Sequence, residues 1–186
     1  MAALRDGGAD ARPLPLEVTD PVSVAAAAEQ VEREHGRLDV LVNNAGIVRA
    51  DGMALPSETT PATLREVFET NVFAVVTVTN AFLPLLLRAP AGRIVNVSSE
   101  VGSITAMTDP ESSVWPLTSV PYPSSKAALN MVTAMYAKEL NGHSGYRSAE
   151  QGAEVSVRLA TLPADGPTGQ LWGHLAADDS YGVLPW

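Results

Sequence analysis

Two side chains capable of proton chemistry stand four positions apart in Tyr122-Pro-Ser-Ser-Lys126. On a helix this spacing puts the phenol and the ammonium on one face. A nearby cation favours phenolate over phenol, so the pair is a candidate proton donor and acceptor. Ser99 adds a hydroxyl upstream. Other chemistries are poorly supplied. The chain has no cysteine, which excludes thiolate catalysis, disulfides and Cys-ligated metals. His35, His143 and His174 lie in different segments without metal-ligand spacing, and we expect no metal site. There is no G-x-S-x-G elbow for a serine hydrolase. A Tyr and a Lys at this spacing also occur by chance on solvated helices, so the elements that carry the pair must decide.

Those elements alternate. Met1 to Arg5 followed by Gly7-Gly8 has the form of a helix end with its glycine stop. Arg12 to Val18 reads as a short strand. Asp20-Pro21 then opens a helix that runs to about Glu34 and stops at Gly36. Leu38 to Val42 is a run of β-formers suited to a strand buried on both faces, ended by Asn43-Asn-Ala-Gly46. A long helix is expected from Pro61 to about Leu87, with Leu64, Val67, Phe68, Asn71, Val72 and Val75 at helical spacing. Arg93 to Val97 is a second buried strand, ending in Ser98-Ser99; Gly102 to Pro121 reads as a loop, and Tyr122 to Leu140 as a third long helix. Beyond a break at Asn141 to Gly145 we expect a fourth helix from Ser148 to about Leu162. A short strand follows at Gln170-Leu-Trp172. Strand, helix, strand, helix implies parallel pairing with right-handed crossovers, and in such sheets chemistry collects at the carboxyl ends of the strands. Asn43 to Gly46 and Ser98-Ser99 sit at those ends. The fold class is α/β.

Composition agrees with one globular domain spanning 1–186: 46% of residues are hydrophobic and 18% charged. A net charge of -9 without any basic run argues against nucleic-acid and anionic-membrane partners. Met1 to Asp6 lacks the pattern of a signal peptide, and the apolar run Ala81 to Leu87 is too short for a bilayer, so a soluble cytoplasmic protein is expected. Asp178-Asp179 reads as a solvated acidic turn.

Asn43-Asn-Ala-Gly46, Asn71, Ser99 after Ile-Val-Asn-Val-Ser, and Tyr122-x-x-x-Lys126 occur in one order that resembles the short-chain dehydrogenase/reductase family, most nearly its carbonyl-reductase-like members. The similarity extends to the tail Leu162-Pro-Ala-Asp-Gly-Pro-Thr-Gly169. It implies a Rossmann-type, three-layer-like parallel sheet with flanking helices and an NADP or NAD cofactor. It also implies a small carbonyl or alcohol substrate and a homo-oligomer built on the long helices. Carried over, Tyr122 exchanges the substrate proton, Lys126 lowers its pKa and holds the cofactor ribose, and Ser99 hydrogen-bonds the carbonyl oxygen. Asn71 holds a helix kink and a water leading to Lys126. Val18, Asn43, Ala45 and Gly46 line the cofactor cleft beside Tyr122 and Lys126. Glu17-Val18 stands where the family has Asp and an apolar residue against adenine.

The sequence also departs from the family. No Gly-rich turn of the G-x-x-x-G-x-G kind precedes Asn43, and Leu140 runs into Asn141 without the family's Pro-Gly strand. The pattern predicts an N-terminally shortened, partly truncated Rossmann-type domain. In it the strands near Arg12 and Leu38 have room to pair directly, and the helix from Ser148 is left to cover one sheet face. The interval from Ser99 to Tyr122 is wider than the family's commonest, and Trp115 within it either faces the substrate or anchors the loop. Two functional readings follow. The first is an NAD(P)H-dependent carbonyl reductase; the second is a cofactor-deficient relative acting as an interaction or oligomerisation partner.

Overall fold

The computed structural model describes residues 8, 10–49 and 54–140, and the backbones of strands 148–149, 171–175 and 180–184. Helix α1 (Pro21–His35) begins where the Asp20 carboxylate accepts the Val22 N–H and Pro21 takes the first turn. It stops at Gly36, whose φ of 70° lies in the left-handed region and whose N–H donates to the Glu32 carbonyl. Strand β1 (Val40–Asn43) pairs in parallel with β2 (Arg93–Asn96), Leu41 opposite Ile94 and Asn43 opposite Asn96.

Between them the helix expected over Pro61 to Leu87 is broken into three pieces. These are α2 (Pro61–Phe68), a π-turn (Glu69–Phe73) and α3 (Ala74–Leu86). Thr60 caps α2 by accepting the Thr63 N–H at 3.2 Å. The whole run Pro61–Leu86 has the length and hydropathy of a membrane helix, yet half of its most apolar window is buried inside the protein. It is a core helix. Val78, Phe82 and Leu85 of α3 close on Val24 and Ala27 of α1, with Leu14, Val18 and Leu41 packed around them. Full burial of Val24, Val78, Phe82 and Leu85 contributes about 1.5–3 kcal/mol each.

Helix α5 (Pro121–Leu140) lies with α3 on the sheet face that carries Asn43 and Asn96. A polar ladder runs through these layers. Asn43 Nδ2 donates to Thr79 Oγ1 of α3 and to Asn96 Oδ1 of β2, and Asn96 Nδ2 donates to Thr133 Oγ1 of α5, all within 3.1 Å and all buried. Buried amides cost little when every donor is met, and here the partners also fix the helices on the strands.

Several sequence expectations are corrected. Arg12 to Val18 forms no strand: it is extended, unladdered chain ending in a turn at Val18. Pro13 and Pro15 remove alternate N–H donors, and Leu14 and Val18 hold the segment by packing instead. Among the described residues β1 therefore pairs with β2 alone, and the direct pairing with the Arg12 segment is not made. The loop from Gly102 contains helix α4 (Ile104–Thr108), capped by Ser103 Oγ accepting the Ala106 N–H. Ser148 starts no helix. Ser148–Ala149 is strand β3, paired in parallel with β4 (Leu171–Leu175), which pairs antiparallel with β5 (Ser180–Leu184). The remainder of the expected fourth helix, the break after Leu140 and the Asp178-Asp179 turn lie outside the described residues, as does the helix end at Met1 to Arg5. The strand expected at Gln170-Leu-Trp172 is found one residue later and runs longer.

Candidate active site

The carboxyl ends of β1 and β2 and the first turns of α5 converge on one spot. Lys126 is 4% exposed, and its ammonium lies 5.5 Å from the Tyr122 ring centroid while donating to the Val97 carbonyl at 2.7 Å. A buried cation survives only with such partners. Tyr122, on the preceding turn, is half-buried. The expectation that one helix face presents both groups together holds.

Asn71 ties the neighbouring segments to that face. It is fully buried, inside the π-turn. Its carboxamide accepts the Ile47 N–H at 2.8 Å and donates to the Ile47 carbonyl at 3.0 Å, as a strand neighbour would. It also donates to Ser125 Oγ at 3.0 Å, and that hydroxyl donates to the Tyr122 carbonyl at 2.7 Å. One side chain thus fixes the turn after β1, the π-turn and the start of α5. The π-turn is what aims Asn71 there, a common device at functional sites. Gly46 sits between the two groups: a Cβ on it would stand 3.4 Å from Asn71 Oδ1 and 3.6 Å from Lys126 Nζ.

Ser99 follows β2 in extended backbone, half-buried, and its hydroxyl makes no cap bond to the 3-10 turn (Glu100–Gly102) that it precedes. Gly102 closes this loop onto α5. Its N–H donates to the Ser99 carbonyl at 2.7 Å, and a Cβ on it would meet the backbone carbon and Cβ of Lys126 at 2.9 Å. No larger residue fits that approach.

Val18, Asn43, Asn44 and Ala45 line one groove with Leu16 and Val42, about 540 Å³ of empty space open to solvent on one side. Both Asn43 side-chain N–H groups are spent in the polar ladder. Glu17 does not reach into this groove. Its carboxylate accepts the Thr19 hydroxyl and N–H, and these bonds hold its pKa below the ordinary Glu value. Trp115 is 48% exposed whereas Val114 beside it is buried, so Val114 anchors the loop. The sequence reading missed Ser98, Gly102 and Asn130. A signal existed for the last: Lys126, Asn130 and Thr133 place polar groups at helical spacing on the buried face of α5.

The parallel pairing of β1 and β2 between flanking helices, with Tyr122 and Lys126 gathered at the strand ends, is a Rossmann-type arrangement. The family model for short chain dehydrogenases matches residues 1–144, and this chain belongs to that family. It is 37% identical to the short-chain dehydrogenase anuI of Penicillium roqueforti over 193 residues, covering 90% of this chain and 73% of the relative. Salutaridine reductase of Papaver bracteatum is 28% identical, over 83% of this chain and 75% of its own. A short-chain dehydrogenase/reductase of Aspergillus fumigatus is 42% identical over 132 residues, and there the match spans 49% of the relative. Among solved structures, NADPH-bound carbonyl reductase from chicken fatty liver superposes with a TM-score of 0.75 at 27% identity, covering all of this chain and 81% of that one. A metagenomic short-chain oxidoreductase in complex with NADP gives 0.71 at 26%, covering 90% and 75%. The Rossmann-type, carbonyl-reductase-like expectation is borne out.

Proposed function

We propose that this chain is an NAD(P)H-dependent oxidoreductase that reduces a small carbonyl compound, or oxidises the matching alcohol, with Tyr122 as the acid and base. The observation that carries this reading is the buried Lys126 ammonium 5.5 Å from the Tyr122 ring at the strand ends, with Gly46 and Asn71 beside it. An ammonium held against the ring on the same helix face suits a phenol that must give and retake a proton. In the reducing direction the Tyr122 hydroxyl gives its proton to the substrate oxygen as the carbonyl becomes an alcohol. Ser99 donates a hydrogen bond to the same oxygen, where negative charge builds. Asn71 acts through Ile47 and Ser125, holding the cleft wall and the first turn of α5 in register.

The residues present suit the flat ring and ribose of a dinucleotide, while no Gly-rich turn for its pyrophosphate precedes Asn43. Val18, Val42 and Ala45 offer apolar walls for a flat ring, and Gly46 leaves room in front of Lys126 Nζ that a larger side chain would take. Val18, Asn43, Ala45 and Gly46 would line its seat, and Lys126 with Tyr122 would meet its ribose. When bound, the cofactor supplies the hydride. NADP is the better-supported form, because two of the similar solved proteins carry NADPH and NADP. Titrating the purified chain with NADPH and following nicotinamide fluorescence is expected to give saturable binding. No binding up to millimolar cofactor would overturn the reading in favour of a cofactor-deficient interaction partner.

The second partner in this reading is another copy of the chain. Phe73, Met131 and Met135 are 52%, 60% and 44% exposed on the π-turn and α5, an apolar surface suited to helix-on-helix association. Light scattering is expected to report an oligomer, and a monomer persisting at high concentration would contradict it.

A further inference from the structure

We propose that Asn130 is a positioning residue that sets Ser99 against Tyr122 and Lys126; the inference rests on the acid–base reading above. Asn130 is 3% exposed and lies one turn beyond Lys126 on α5. Its carboxamide grips the Ser99 loop on both sides. Oδ1 accepts from the Ser98 hydroxyl, immediately before Ser99. Nδ2 donates to the Gly102 carbonyl at 3.2 Å, at the last residue of the turn, and the Gly102 N–H returns to the Ser99 carbonyl at 2.7 Å.

The contacts form a closed circuit. Ser98 Oγ also lies 3.4 Å from the Lys126 carbonyl, and the missing side chain of Gly102 lets the loop rest on Lys126 itself. Both the loop and the helix are therefore referenced to the same two residues of α5, Lys126 and Asn130. Ser99 carries no capping bond to hold it in place. Its hydroxyl is aimed by the backbone on either side, and that backbone is held by Asn130. An amide suits the task because one planar group both accepts and donates, at an angle that spans the loop. Leucine has the volume and neither bond. Displacing a catalytic hydroxyl by about 1 Å is enough to cost on the order of 100-fold in rate.

The test uses the full chain with NADPH and a panel of aromatic aldehydes, ketones and quinones, in parent, Asn130→Leu and Ser98→Ala forms. Asn130→Leu is expected to lower kcat and kcat/KM together by roughly 10- to 100-fold while the NADPH Kd from fluorescence moves less than about twofold. Ser98→Ala, which removes one of the bonds, loses rate in the same pattern but less. A merely structural role would instead weaken NADPH binding and thermal stability along with rate. Folded variants with parental kcat overturn the proposal, as does a rate loss matched by lost NADPH affinity. If Asn130→Leu fails to fold, Ser98→Ala decides by the same split. A parent that neither binds NADPH nor turns over any compound in the panel sinks the acid–base reading, and this inference with it. That result is distinct from an active parent with indifferent variants.

Discussion

Tyr122→Phe is expected to lower carbonyl turnover by roughly two to four orders of magnitude while leaving NADPH affinity nearly intact. The change removes one oxygen and little else. The aromatic ring that faces the Lys126 ammonium at 5.5 Å is retained. The Ser125 hydroxyl bonds the backbone carbonyl of residue 122, so the first turn of α5 keeps its link through Ser125 to Asn71. Lys126 keeps its bond to the Val97 carbonyl. The variant therefore withdraws the exchangeable proton while these contacts stay in place. Steady-state turnover with NADPH measures the loss, and fluorescence titration of the same preparation measures the affinity. Unchanged turnover would remove Tyr122 from the chemistry, and a parallel collapse of affinity would show that its main role is to hold the cofactor.

Much of this site could be read before any coordinates, because its parts are signalled locally. Asp20-Pro21 and Thr60-Pro61 mark helix starts through their own backbone chemistry, and both helices begin there. The runs Leu38 to Val42 and Arg93 to Val97 declare parallel strands and register follows once they pair, but β1 is not buried on both faces, since Val42 is exposed. Helical spacing put Tyr122 and Lys126 on one face, and the resemblance to the short-chain dehydrogenase/reductase family gave the pair its role. What stayed hidden depends on partners distant in sequence. The π-turn leaves the apolar periodicity from Leu64 to Val75 undisturbed. Its local partner is the backbone of Ile47, a segment that no pattern in the helix announces. Arg12 to Val18 reads as a short strand, yet Pro13 and Pro15 deny it the ladder, a signal present in the sequence itself. The Ser98–Asn130–Gly102 circuit joins residues from a loop and a helix, so pattern could place Asn130 on the buried face but not assign its partners.

The largest effect on stability is expected from Asn71→Ala. The substitution empties a fully buried position and withdraws two donors and an acceptor at once. The Ile47 N–H and carbonyl lose their partner, and so does the Ser125 hydroxyl. A stranded buried polar group costs about 1–3 kcal/mol, but Ile47 is half-buried and water can recover part of its loss. A net destabilisation of roughly 2–3 kcal/mol is the expected result in urea unfolding, a large share of a domain's ~5–15 kcal/mol. Asn71→Asp separates the contributions, since a carboxylate still accepts from the Ile47 N–H but donates to neither the Ile47 carbonyl nor Ser125 Oγ. It also leaves a negative charge beside Gly46, near the Lys126 ammonium. Turnover should fall in both variants, because the turn after β1 and the start of α5 are no longer referenced to one another. A stability loss in Asn71→Ala below about 0.5 kcal/mol would be the size expected of a surface change. It would mean that helix packing alone holds the π-turn, with Asn71 carried by the bulge instead of fixing it.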